Sequence, residues 1–249
     1  MSRKFWKGAA LLSAGMVLAA AAYIGLYLYQ SYQNAAFYET IMEQAQPQEN
    51  EMSEQLPLLA DLNALKARNP DCVGVLCIPD TPIDYPVVCS EKENGEYYLH
   101  RSFNEEKSAA GTLFLDHRCA TELRPQHEII YGHHMRNGQM FAVLKKYQEE
   151  SFWREHPRIL YQTEAGTEIY EIFSVFRMDP SSQGALSYLQ AIETADTELG
   201  VQLNAFYDTG IVPAPEDAVL TLVTCDYAAK NGRMVITARC GTQQKNSGA

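Results

Sequence analysis

The residues with the most chemical potential in this chain stand in "TLVTCDYAAKNGRMVITARC", positions 221–240. There an apolar run of β type ends in Cys225, a short polar loop follows, and a second β-like run opens on Arg233. A thiol attacks as its thiolate, and with an ordinary pKa of about 8.5 only a few per cent is ionised at neutral pH. It therefore needs a base or a cation nearby. The chain offers both: Arg233, eight residues on, and the pair His133 and His134 at the end of "EIIYGHHM" (128–135). Gly132 just before them would let the backbone turn sharply and expose a side chain at a strand end. Such a set suits acyl transfer. A thiolate attacks a peptide carbonyl, an imidazolium protonates the leaving amine, and a fixed cation holds the charge that builds on the oxygen. Arginine fits the last part because it stays protonated and presents a rigid fork of donors. Taken singly, each residue also has an ordinary reading: a strand-end cysteine as a small buried hydrophobe, a loop histidine pair with no chemistry, an arginine as surface charge.

To act together these side chains must be delivered by neighbouring strands. If "TLVTC" and "RMVIT" pair across "DYAAKNG", Cys225 and Arg233 share one end of a sheet and face one pocket. The remaining chain reads as the body of that sheet. "CVGVLCIPDTPIDYPVV" (72–88) gives two strands and a turn, and "AGTLFLD" (110–116) and "HEIIYGHHM" (127–135) give further strands. "RILYQTEAGTEIYEIFSVFRM" (158–178) reads as a hairpin turning at "EAG". Helical spacing marks Leu58, Leu62 and Leu65 before Asn69, a single helix over 140–157 with Met140, Leu144 and Tyr147 on one face, and a segment over 187–207 carrying Leu199, Leu203 and Phe206. The expected architecture is mostly β, a closed barrel of seven to eight strands with helical insertions.

The first thirty residues differ from the rest. Arg3, Lys4 and Lys7 precede an uncharged run from Ala9 to Tyr29, 21 residues that as a helix span about 31 Å, the thickness of a bilayer's hydrocarbon core. A cleaved signal peptide with its site in "LAAAA" (18–22) is one reading. An uncleaved anchor is the preferred one, because the apolar run continues through Tyr23, Ile24, Leu26, Tyr27 and Leu28. Basic residues before the span keep the N-terminus in the cytoplasm, so everything after Gln30 would face outward. The expected partition is a cytoplasmic N-terminus (1–8), a transmembrane anchor (9–29), a helical linker (30–69), a catalytic domain (70–242) and a polar tail (243–249).

Setting aside Arg3, Lys4 and Lys7 leaves 17 of the 20 basic residues against 31 acidic ones, a net charge of −14 outside the anchor. That argues against nucleic acid as a partner and against electrostatic docking on anionic lipid. Six cysteines in an extracytoplasmic chain leave both buried free thiols and one or two bridges open. No Cys/His spacing resembles a zinc site, so no metal and no cofactor is expected. His100, His117, His127 and His156 read as solvated or core histidines.

"TLVTC" resembles the TLxTC signature of sortases, the membrane-anchored cysteine transpeptidases of Gram-positive bacteria, and the domain resembles class B. The resemblance covers roughly residues 55–240. It includes "IPDTPIDYPVV", "YYLHRSFNEEKSAAGTLFLD", "IIYGHHM", "MFAVLKKY" followed by "FWREHP", "YEIFSV", "TLVTCDY" and "GRMVITA". It implies Cys225 as nucleophile, His133 as general acid/base with His134 its ambiguous neighbour, and Arg233 as the residue that positions substrate and stabilises the oxyanion. It further implies that Thr224 and Asp226 shape the pocket, that Val223 stands at the signature's variable position, that the 187–207 helix walls the substrate groove, and that Tyr188 is a candidate substrate contact. The implied reaction is cleavage of a surface protein's C-terminal sorting signal after a threonine, an acyl-thioester, and transfer to an amine of peptidoglycan or its lipid-linked precursor, at the outer face of the cell membrane. A pilus-assembling enzyme that joins subunits through lysine, and a degenerate interaction domain on the same barrel, stand as alternatives.

Overall fold

The structure, a computed structural model, describes residues 3–47, 56, 58–121, 127–178, 205–226 and 232–241. It divides into two units, 1–40 and 41–249. The first is most of helix α1 (Arg3–Gln44), whose stretch Leu12–Gln44 contains an 18-residue window of mean hydropathy 1.6 and is long enough to cross a bilayer. Residues 30–44 extend this helix without a break, since no proline or glycine occurs between Gln30 and Pro47 to stop it.

The second unit is built on eight strands: β1 (Cys72–Cys77), β2 (Asp84–Val88), β3 (Leu113–Leu115), β4 (His127–Gly132), β5 (Arg158–Thr163), β6 (Gly166–Met178), β7 (Ala218–Asp226) and β8 (Gly232–Cys240). They close into a barrel in the order β1-β2-β3-β4-β7-β8-β6-β5. The β2–β3 and β4–β7 pairs are parallel and the others antiparallel. The strands are rich in valine, isoleucine and leucine, and Val75, Leu76, Val87, Val88, Ile129, Ile130, Leu220, Leu222, Val235 and Ile236 are all fully buried. Pro86 sits inside β2, but β3 reaches β2 only at Val87 and Val88, so the missing N–H falls outside that ladder.

Three expectations need correction. Leu58 is outside helix α2 (Leu62–Arg68), because buried Gln162 of β5 ties the preceding segment to the barrel in a bend: its Oε1 accepts from the N–H of Leu59 and of Ala60 (2.6 and 2.9 Å), and its Nε2 donates to Ala60 O. Asp61 then caps the helix by accepting from Asn63 N and Ala64 N. The strand expected over 127–135 stops at Gly132. The single helix expected over 140–157 is two pieces, a 3₁₀ segment (Phe141–Gln148) and α3 (Glu150–Glu155), parted by the extended Glu149 (φ −95°, ψ 122°). With three residues per turn, Phe141, Leu144 and Tyr147 line up on one edge, and all three are fully buried. The helix expected over 187–207 falls mostly outside the described residues.

β4 and β7 are also joined by side chains, since His127 Nε2 lies 3.0 Å from Thr221 Oγ1. Burial lowers the pKa of His127 from 6.5 to about 4. The unfolded chain therefore binds a proton that the folded chain refuses between those two values, and stability is lost as pH falls through that window. One such group amounts to ~3 kcal/mol by pH 4. Denaturant titration of wild type and His127→Gln from pH 7 to 4 will show the variant losing less; parallel curves would remove His127 from the account.

Candidate active site

The site is assembled where β4, β7 and β8 end together. In the parallel pair, Gly132 lies opposite Thr224, the last matched position of β4, so His133 leaves the strand level with the end of β7. In the antiparallel pair, Cys225 lies opposite Arg233 and Asp226 opposite Gly232. Backbone register alone thus gathers positions 133, 225 and 233. A cleft of about 430 Å³ opens here, and His133, Val223, Thr224 and Arg233 are among its lining residues. The side chains of Cys225 and Asp226 lie outside the described residues, as does Tyr188 altogether. His134 is not among the lining residues; its backbone bridges to Met140.

Gly132 serves differently from the expected sharp turn. Its φ is not left-handed; instead a Cβ there would fall 2.5 Å from Leu113 Cδ2 and 2.7 Å from Phe141 Cδ2. The absent side chain lets the β4 end settle onto the packed layer below, and Phe141 N donates to His133 O at 2.9 Å to hold it there.

His133 Nε2 is 2.7 Å from the Leu99 carbonyl oxygen. A carbonyl only accepts, so Nε2 carries the proton and Nδ1 is the basic nitrogen of the neutral ring. Burial lowers the pKa of His133, the Leu99 bond opposes that, and the neighbouring His100 adds to it. The ring is therefore mostly neutral at neutral pH, and the imidazolium a minority form. His100, read from the sequence as solvated or core, stacks on His133 with centroids 5.6 Å apart and planes 25° from parallel.

The same cleft holds a polar group that the sequence reading passed over. Buried Asp116, just past the end of β3, accepts from Arg118 Nε (3.0 Å), Arg118 Nη2 (2.8 Å) and Tyr131 Oη (3.2 Å). Burial would raise its pKa, but the hydrogen bonds and charge of Arg118 outweigh this and hold it below the usual carboxylate range. His117, Arg118 and Tyr131 line the cleft with it. The only sequence signal was that Asp116 ends an apolar strand, a place where a carboxylate needs a partner. Val223 packs in a buried cluster with Ile129, Phe176, Met178 and Val235 while facing the cleft, and Thr224 Oγ1 is buried with no hydrogen-bond partner among the described residues.

The other cysteines contrast with a nucleophile. Cys72, Cys77, Cys89 and Cys119 are free thiols, and burial pushes their pKa values up to about 11, 11, 11 and 12. They remain protonated and unreactive at neutral pH.

Residues 76–240 match the family model described as the Sortase domain. The chain is 32% identical to sortase B of Listeria monocytogenes, over 95% of this chain and 97% of that protein. Among solved structures, sortase B of Bacillus anthracis superposes with a TM-score of 0.66 at 29% identity, covering 86% of this chain and 98% of that one. Sortase B of Clostridium perfringens does so with a TM-score of 0.59 at 30% identity, covering 72% and 99%.

Proposed function

The chain belongs to the sortase family, as a class B cysteine transpeptidase, and we propose that Cys225 is its nucleophile, His133 its general acid/base and Arg233 its oxyanion clamp. The observation that carries this is the register: Cys225 opposite Arg233, with Gly132 opposite Thr224. The Cys225 thiolate attacks the carbonyl carbon of a threonine in a C-terminal sorting signal. Negative charge collects on the carbonyl oxygen, where the Arg233 fork meets it. The carbon–nitrogen bond then breaks, the leaving amine takes a proton from the His133 imidazolium, and an acyl-thioester remains. In the second half an acceptor amine attacks the thioester, gives its proton to the neutral imidazole and expels the thiolate.

The acceptor in this reading is an amine of peptidoglycan or its lipid-linked precursor, and the substrate a surface protein. The long apolar helix supports a single-pass anchor with the catalytic domain outside. Val223 and Thr224 in the cleft are proposed to bound the sorting peptide, with Asp226 and Tyr188 as further contacts. The proposed partition keeps the anchor at 9–29, the linker at 30–69 and the catalytic domain at 70–242.

The test is a panel of quenched sorting peptides incubated with the full-length chain in detergent micelles, with and without an added amine. Cleavage, and capture of the acyl group by the amine, is the expected result. His133→Ala will be inactive and His134→Ala active; the reverse pattern would move the acid/base role to His134.

A further inference from the structure

An imidazole that moves protons needs its second nitrogen held, or the ring rotates and both tautomers form. In many thiol and serine acyltransferases a carboxylate or carboxamide does this. Here the atom in that position is a main-chain oxygen. The Leu99 carbonyl accepts from His133 Nε2 at 2.7 Å.

Main-chain oxygens orient a ring only if they are themselves fixed. Leu99 lies in a 3₁₀ turn (Tyr97–His100), and its neighbours on both sides are tied to the segment 108–112. Thr112 N donates to Tyr98 O (3.1 Å), Ser108 N to His100 O (3.0 Å), and Thr112 Oγ1 to Arg101 O (2.9 Å). From below, Tyr98 Oη meets Asn69 and Asp71 in the buried base of the turn. Gly111 makes this crossing possible. Its φ is +62°, and a Cβ on it would fall 2.6 Å from Leu99 O and 2.8 Å from Tyr98 O. Any side chain at 111 must push against the very oxygen that His133 bonds, and the φ is one that L residues rarely adopt. His100 then closes the open side of the imidazole by stacking.

We propose that the Leu99 carbonyl is the orienting partner of the catalytic histidine, and that Gly111 is the positioning residue that keeps it in place. This rests on the reading of His133 as the acid/base. It adds a backbone atom to Cys225, His133 and Arg233, one that alanine scanning at Leu99 would miss. It also gives a function to "SAAGT" (108–112), whose side chains suggest none.

The test uses the full-length chain in micelles with ¹⁵N-labelled histidine, the His133 signal being assigned by its loss in His133→Ala. The wild-type ring is expected as the Nε2–H tautomer, and Gly111→Ala should give a mixture of tautomers. With the best-cleaved peptide of the panel, Gly111→Ala should lower kcat roughly 10–100-fold while KM changes less than about threefold, the loss expected when a reacting group is misaligned rather than a binding contact removed. Thr112→Val, which keeps shape but loses the bond to Arg101 O, should show the same pattern more weakly. A wild-type ring in the Nδ1–H form overturns the proposal, whether or not Gly111→Ala folds. So does a folded Gly111→Ala with wild-type tautomer and kcat, or a kcat loss in Thr112→Val with no change of tautomer. The tautomer is read without turnover, so an active His133→Ala would sink the acid/base reading separately.

Discussion

Cys225→Ala will reduce both cleavage and transfer to the rate of the peptide without enzyme, while the affinity for a sorting peptide stays within about threefold of wild type. The nucleophile forms the covalent bond on which both half-reactions depend, and its loss leaves no alternative path. A second thiol will not take over: Cys72, Cys77, Cys89 and Cys119 are held protonated by burial. Mass spectrometry of wild type mixed with peptide and no amine should place the acyl adduct on Cys225. Turnover by the alanine variant, or an adduct on another cysteine, would end the proposed mechanism.

The second large effect is expected from a substitution that keeps the charge. Arg233→Lys should lower kcat by about 10²–10³, in the range seen when one oxyanion donor is removed. In the proposed mechanism, Cα register with Cys225 across β7–β8 sets the distance from which the guanidinium reaches the developing charge. Its donors are fixed in a plane, whereas an ammonium is a strongly hydrated point charge on a stem that must be ordered each time. A contact made only in the transition state lowers kcat and kcat/KM together, so KM should move little. A rise in KM with kcat intact would reassign Arg233 to ground-state binding, and near-normal kinetics would remove it from the site.

The pairing that unites Cys225 with Arg233 was legible because it is local: two β-like runs joined by a short polar loop have few ways to pair. The family resemblance marked His133, but the parallel seating of β4 beside β7 joins residues far apart in the chain and leaves no periodic trace. The same limit hid His100 and His117. Each looks isolated along the chain, yet one stacks on His133 and the other lines the cleft. Met140, Leu144 and Tyr147 read as one face of an α-helix, whereas the buried edge of the 3₁₀ segment is Phe141, Leu144 and Tyr147, and the break at Glu149 carries no proline or glycine to announce it. Gly132 reads from the sequence as a place where the chain can turn, whereas its crowding by Leu113 and Phe141 cannot be read from its neighbours in sequence. The Leu99 carbonyl was invisible because every residue has one.

The strand order also bears on the life of the nascent chain. Synthesis delivers β4 long before β7, and β8, with Arg233, comes last of the eight strands; β6 too must wait for β8 to gain its second neighbour. Pairings between such distant segments are slow to form because the loop must close before contacts reward it. Cys225, His133 and Arg233, the proposed nucleophile, acid/base and clamp, therefore come into register only when nearly the whole domain has emerged and the barrel has shut. A chain of which only part has emerged has no assembled centre that neighbouring peptides could acylate.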